Sequence, residues 1–506
     1  MLLRWRLLAL AAMFPAAAQQ PSTGALDIYI TSGGKPAAAR VYVWDANGRP
    51  LLIPGAVTYS LREESHSVID QMATAMLPPG KYRVRAEKGM EFQAAEKTAA
   101  VTPGEAARID LEVSRLYNMN GQGWYSGDLH IHRSPEDMPL LLRAEDLNVA
   151  PVITRHLGSG TEEGPPFTET PLRSVDQNHI VSFQNQEVER LGKGHGAILL
   201  LNTRRAIDSN MAPLFPPDRD FAREARAQGG FVDAEKPIWK NVPVNLAFGL
   251  VDSVGVVNNH FHPHGVLLEA EKYGSMEREG AIYKGAAGFA QWMIDLYYSF
   301  LNCGFRLAVS AGSASGIMPS WPGYERTYVH LSGPFSYEQW FRDLQAGRSI
   351  ATNGPLLEVY MNGQPPGAAV DWEAPAGVTL AIDAHAQERL DRVEIVYNGE
   401  VIRSFSAGGN TVFRTALNLT ITEPGWLAVR CFEPVRETVR YAHTSPFYFL
   451  REGKLPVKRP AALRWAEYIR RLAASARPAD YPSAAAYEMA RSAFQDAEAF
   501  YRRLAE

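Results

Sequence analysis

Cysteine is nearly missing from this 506-residue chain: Cys303 and Cys431 stand alone and far apart. That excludes a disulfide framework and a CxxC-type zinc or redox site, so any metal must be held by His, Asp or Glu. Charge of one sign is missing too. The 51 Lys and Arg against 55 Asp and Glu leave a formal charge of −4 and a pI near 6.3. No footprint for phosphate backbones results, and no nucleic acid is expected as a partner. Nor does any stretch beyond the N-terminus reach the roughly 18 uninterrupted apolar residues that a bilayer-spanning helix needs. What the chain does have is bulk, 46% hydrophobic and 21% charged, enough for about three or four domains with cores of their own.

The first residues read as a targeting segment. Arg4 and Arg6 make a basic head, Leu7 to Phe14 an apolar run, and Ala16-Ala17-Ala18 before Gln19 a small-residue cleavage site, so 1–18 is expected to be a signal peptide and the mature chain secreted or periplasmic. An uncleaved N-terminal anchor is the alternative.

Residues 25–115 show short alternating strands separated by turn chemistry, with Asn47-Gly48-Arg49-Pro50, Pro78-Pro79-Gly80 and Pro103-Gly104 as punctuation. A small antiparallel β-sandwich is expected. The phrase Leu77-Pro78-Pro79-Gly80-Lys81-Tyr82-Arg83-Val84 resembles the carboxypeptidase-regulatory-like modules of secreted proteins. Across 117–355 short apolar strands alternate with segments of helical period, including 221–228 and 287–301, the pattern of a barrel or an open α/β sheet. Strand alternation returns over 356–450, where Asn398-Gly399 marks a hairpin and a second sandwich is expected. The tail 451–506 has helical spacing and is expected to dock on the body.

The chemistry gathers in the central region. In Asp128-Leu129-His130-Ile131-His132 the two histidines are two residues apart, so in an extended strand both imidazoles face one side and can share a cation. Alone this signal is weak. Further metal-capable side chains stand at the ends of other expected strands: His156, Glu187, Glu235 and His260, with His195 in the loop Gly194-His195-Gly196. Strand ends gather where α/β active sites form. Glu189 competes with Glu187, since both face the same side of their strand, and Asp128 is placed to orient a ligating ring. Imidazole with carboxylate suits zinc, manganese or iron better than magnesium or calcium. One or two divalent ions, zinc first, are expected, with hydrolysis as their chemistry. A Gly-rich phosphate loop and a Gly-x-Ser-x-Gly elbow are both absent, which argues against serine-hydrolase chemistry.

Gly123 to His132, the stretch from Glu187 to His195, and Gly347-Arg348-Ser349-Ile350-Ala351-Thr352-Asn353-Gly354-Pro355-Leu356 together resemble the CehA/McbA (carbaryl-hydrolase-like) branch of the PHP, or polymerase and histidinol phosphatase, metallohydrolases. The resemblance implies an α/β fold with a distorted (β/α)7 barrel between the two sandwiches, and hydrolysis of phosphoester, carbamate or ester bonds. It implies His130, His132, His156, Glu187 and His195 as ligands, Glu187 bridging. Two departures stand out. Glu235-Lys236-Pro237 replaces the family's His-Pro, and Gly312-Ser313-Ala314-Ser315-Gly316 replaces Ser-Asp-x-His. His260 is the residue that would restore a nitrogen ligand. Lys236, Arg155 and His264 are the expected catalytic side chains, steadying an anionic group or the developing oxyanion of a small-molecule substrate. A reading from another class is a non-catalytic surface or glycan-binding protein whose barrel has degenerated.

Overall fold

The computed structural model describes residues 23–158, 171–190, 194–207, 212 and 214–506. The expected signal peptide lies outside them, as do parts of the irregular loops 158–173 and 213–220.

In the N-terminal unit the strand Gly24–Ser32 turns Leu26, Ile28 and Ile30 inward at period two. It pairs in parallel with Ala106–Glu112 and antiparallel with Met72–Leu77. A second sheet, ordered Ala95–Val101, Gly80–Glu87, Ala38–Trp44, Glu64–Asp70, Val57–Leu61, closes the sandwich over a core containing Val41, Val43 and Val84. The hairpin formed by its last two strands turns at Arg62-Glu63 and reaches the central region, where the Tyr59 hydroxyl donates to the Met318 carbonyl.

The central region does not form the expected (β/α)7 barrel. Such a barrel needs parallel strands, each followed by a helix. Here the strands divide between two mixed sheets. One is ordered Arg155–Leu157, Gln186–Arg190, Gly196–Leu201, Phe231–Ala234, Ser253–Asn258, Ala308–Gly312, and its Gln186–Arg190/Gly196–Leu201 and Gly196–Leu201/Phe231–Ala234 pairs are antiparallel. The other takes in Ile180–Ser182, Val149–Pro151 and Trp124–Gly127, and then turns antiparallel at Arg326–His330. The cause is visible in the chain. Parallel neighbours need a crossover of a dozen or more residues, whereas the 191–195 connection has room only for a hairpin. The chain breaks at Phe183-Gln184-Asn185 between the strands Ile180–Ser182 and Gln186–Arg190, which belong to different sheets.

The second sheet continues through Ser349–Thr352 and Tyr441–Thr444 into Gly425–Phe432, Arg392–Tyr397 and Glu400–Ser406, so it runs from the central region into the C-terminal strands without a break. A three-stranded sheet of Leu356–Met361, Ala376–His385 and Val412–Ile421 covers one face of those strands around Leu380, Ile395 and Val429. The largest core is centred on the helix Gly285–Leu301. The tail helices Arg459–Ser475 and Ala484–Leu504 pack on it, and Trp465 stacks on Phe300 at 4.6 Å. Among the described residues no helix is long and apolar enough to cross a membrane.

Candidate metal centre

Residues 128–132 run extended between the two central sheets. The Leu129 amide donates to the Ala311 carbonyl, the His132 amide to that of Ser315, and the Ile153 amide to that of Ile131. Alternation then sorts the side chains. Leu129 and Ile131 enter separate apolar cores, and His130 and His132 turn to the other side. Two glycines make room for this. A Cβ on Gly312 would lie 2.5 Å from that of His130, and Gly316, at φ +113°, has no space for one beside the His132 carbonyl. Asp128 fixes the backbone rather than a ring: its carboxylate accepts from the amides of His130 (3.0 Å), Ser313 (3.0 Å) and Gly323 (2.7 Å) and from the Ser313 hydroxyl (2.5 Å).

The third donor comes from the neighbouring sheet. His130 Nε2 and His132 Nε2 are 2.9 Å apart, and Glu187 Oε2 lies 3.1 Å from the first and 3.0 Å from the second. A cation bonded at about 2.1 Å with right angles between bonds holds its donors about 3.0 Å apart, so this nearly equilateral triangle has the size of one coordination face. A second triangle adjoins it. His156 is the register partner of Glu187, and Glu189, two residues on, shares that face; His156 Nε2 is 3.0 Å from Glu189 Oε2 and 3.6 Å from Glu187 Oε2. Each triangle is a group of donors able to hold an ion, and Glu187 belongs to both.

Electrostatics match that arrangement. Burial opposes charge on Glu187, but the charges of His130 and His156, with hydrogen bonds from His130 and His132, hold its carboxyl well below the usual range. Burial pulls His132 down, against the attraction of Glu187. For His156 burial acts the same way, but Glu187 and Glu189 outweigh it and its pKa rises. The cluster therefore presents anionic oxygens with imidazole nitrogens, a mixed set suited to zinc, manganese or iron.

The remaining expected residues lie at different places. Lys236 is buried next to the cluster, donates to Glu235, and sits 4.8 Å from the centre of the Trp239 ring. Burial pushes it down to about 7 against the pull of Glu187, Glu189, Asp233 and Glu325. Glu235 in turn is 3.1 Å from His130 Nδ1 and accepts from the Trp239 indole at 2.9 Å. Arg155 is buried on the strand that carries His156, one residue before it. His260 is not brought into either triangle. It stacks on Phe289 and its Nδ1 faces the Leu267 carbonyl at 3.0 Å. His195 is also elsewhere, beside Phe494 and bonded to Asn241, where burial pushes it down to about 4. His264 Nε2 meets Glu64 Oε2 of the N-terminal hairpin at 2.8 Å.

Two groups have a different place from the one that the sequence suggests, or none there at all. Glu189 is expected only as a rival of Glu187, whereas the structure sets both beside His156. Glu325 carries no motif; it is completely buried, neither carboxylate oxygen has a hydrogen-bond partner, and burial with Asp128 nearby holds it well above the usual carboxylate range.

No family model matches the chain, and no curated protein matches it. Among solved structures it is similar to GBS52, the minor pilin of the gram-positive pathogen Streptococcus agalactiae, at 20% identity and a TM-score of 0.16, over 19% of this chain and 46% of that one. It is also similar to the Bacillus anthracis TIE protein, at 8% identity and a TM-score of 0.15, over 85% of this chain and 50% of that one. The chain spans about half the length of either structure, and likenesses at these scores assign neither fold nor function.

Proposed function

We propose that this chain is a metal-dependent hydrolase of a small-molecule phosphoester, carbamate or ester, exported by its N-terminal segment. The observation that carries this is the convergence of His130 and His132, from the extended segment between the two central sheets, and Glu187, from a strand of one of them, into a triangle of 2.9–3.1 Å sides. The resemblance of the surrounding motifs to CehA/McbA metallohydrolases gives the same residues the same task. His130, His132 and Glu187 would hold a zinc, manganese or iron ion, whose chemistry would be to lower the pKa of a water toward neutrality.

The protein's own part is positioning and proton handling. Glu187 is the anion shared by both triangles, and His156 with Glu189 offers a second set of donors beside the first. Asp128, through its four hydrogen bonds, fixes the main chain from which both histidines project, and so sets their spacing. Lys236, held near 7 by burial, can keep or release a proton within the physiological range and stands next to Glu235 rather than among the donors. Its place and pKa suit protonation of a leaving oxygen or nitrogen.

The test is turnover of p-nitrophenyl phosphate, p-nitrophenyl acetate and a 1-naphthyl carbamate by the chelated full-length protein before and after zinc, manganese or iron is restored. Metal-restored turnover of at least one ester class, absent from His130→Ala/His132→Ala, is expected. Turnover that ignores both chelation and the double substitution would end this reading.

A further inference from the structure

Beyond the metal centre, one cavity combines an apolar floor with cations that form no ion pair among the described residues. It occupies about 470 Å³ between the helix Gly285–Leu301, the tail helix Arg459–Ser475 and the loop around Arg278. Trp292, Leu296 and Trp465 form its floor. That floor is rigid, because the Trp465 indole donates to the Ser299 hydroxyl at 3.1 Å and its ring stacks on Phe300. Lys240, Arg278 and Arg464 line the same space.

No carboxylate among the described residues forms an ion pair with any of the three, although Arg471 on the same rim is 3.7 Å from Glu467. Glu277 and Glu279, also on the rim, are exposed and leave these cations unpaired. Arg278 lies over the Phe289 ring at 5.3 Å and its Nη1 is buried without a hydrogen-bond partner. Such a buried guanidinium nitrogen is costly unless an acceptor arrives. An apolar floor beside unpaired guanidinium groups suits a flat organic anion, which packs against the first and bonds to the second.

We propose that this cavity is a binding site, separate from the metal centre, for a flat organic anion of the aromatic carboxylate class. Lys240 directly follows Trp239, whose indole holds Glu235, so an occupant would lie one residue from the wall of the metal centre without touching its donors.

The test is titration of the full-length protein with 2-naphthoate, followed by calorimetry and by the fluorescence of its tryptophans. One saturable site is expected. Arg278→Ala/Arg464→Ala should weaken it more than about tenfold, the effect of losing one charged hydrogen bond, and neutral 2-naphthalenemethanol should bind at least as much more weakly. His130→Ala/His132→Ala should leave it unchanged. Arg464→Ala alone, at an exposed position, guards against a folding defect in the double variant and should still weaken binding. Absence of saturable binding, equal affinity for the neutral alcohol, or loss of binding in the histidine variant rather than the arginine variants would overturn the proposal.

Discussion

Glu187 and His195 belong to one hairpin yet stand in opposite chemical settings. Around Glu187, two strands and the 128–132 segment bring the imidazoles of His130 and His132 to about 3 Å and that of His156, itself paired with Glu189, to 3.6 Å. Around His195 the ring meets Asn241 and Phe494, and the charges that act on it, Lys240 and Arg190, are both cations. The register explains the split. Gly196 pairs with Arg190, so His195 lies beyond the far end of the strand, about 13 Å along from Glu187 at the usual rise per residue. A histidine beside a strand end becomes a ligand candidate only where the pairing places it level with the other donors.

The sharpest break of that contrast comes from the donors themselves. Glu187→Gln removes the negative charge common to both triangles, and metal affinity should fall by more than about a hundredfold, read by equilibrium dialysis; losses of groups that only orient a ligand usually cost ten- to a hundredfold. His195→Ala should leave metal content untouched and lower stability by about 1–3 kcal/mol in denaturant titration, from a lost buried hydrogen bond and a cavity. Retained metal in Glu187→Gln, or metal loss in His195→Ala, would reverse the roles assigned to the two regions.

Acid should separate them next. The folded-state pKa of His195, about 4, lies below the ordinary 6.5, so the unfolded chain takes up its proton first. The stabilising preference for neutral His195 is therefore present above about 6.5 and lost as pH falls toward 4, by at most roughly 3 kcal/mol. His195→Gln should show a shallower decline of stability over that window than the wild type. Glu325 provides the opposite sign. Its folded-state pKa is raised, so its contribution is present below the ordinary carboxylate value and lost as pH rises. Glu325→Gln should gain about 1 kcal/mol over the metal-free wild type at alkaline pH and nothing at pH 4. The smallest effect is expected at the interdomain tie. The Glu64 carboxyl, held near 2 by His264 and His66 against burial, contributes above the ordinary carboxylate value and loses that contribution as pH falls through 2; at neutral pH Glu64→Gln should lower the melting temperature by only a few degrees.

Much of the cluster is legible in the sequence because alternation is local. His130 and His132 fall on one side of an extended segment, and Glu187 and Glu189 share a face for the same reason. The pairing that sets His156 level with Glu187, and the approach that demands glycine at 312 and 316, depend on chain segments far apart in sequence. Glu325 has no local signal at all, since its burial comes entirely from its surroundings. In the fold, helices 218–227 and 285–301 follow from apolar period, and the sandwich turns from Gly and Pro. The (β/α)7 barrel does not, because apolar strands between helical segments say nothing of strand direction. The short 191–195 link did carry that information. The sheet that joins Ser349–Thr352 to Tyr441–Thr444 pairs residues about ninety positions apart, a match that no periodicity encodes.

The central claim is that the Glu187 cluster holds metal and His195 does not, and elemental analysis of three purified full-length proteins tests it most directly. Wild type and His195→Ala should each carry about one or two equivalents of zinc, manganese or iron after incubation with the ions, and His130→Ala/His132→Ala should carry less than about a tenth of that. Wild-type protein that stays free of metal under every ion, or a double variant that keeps its full complement, would contradict the account.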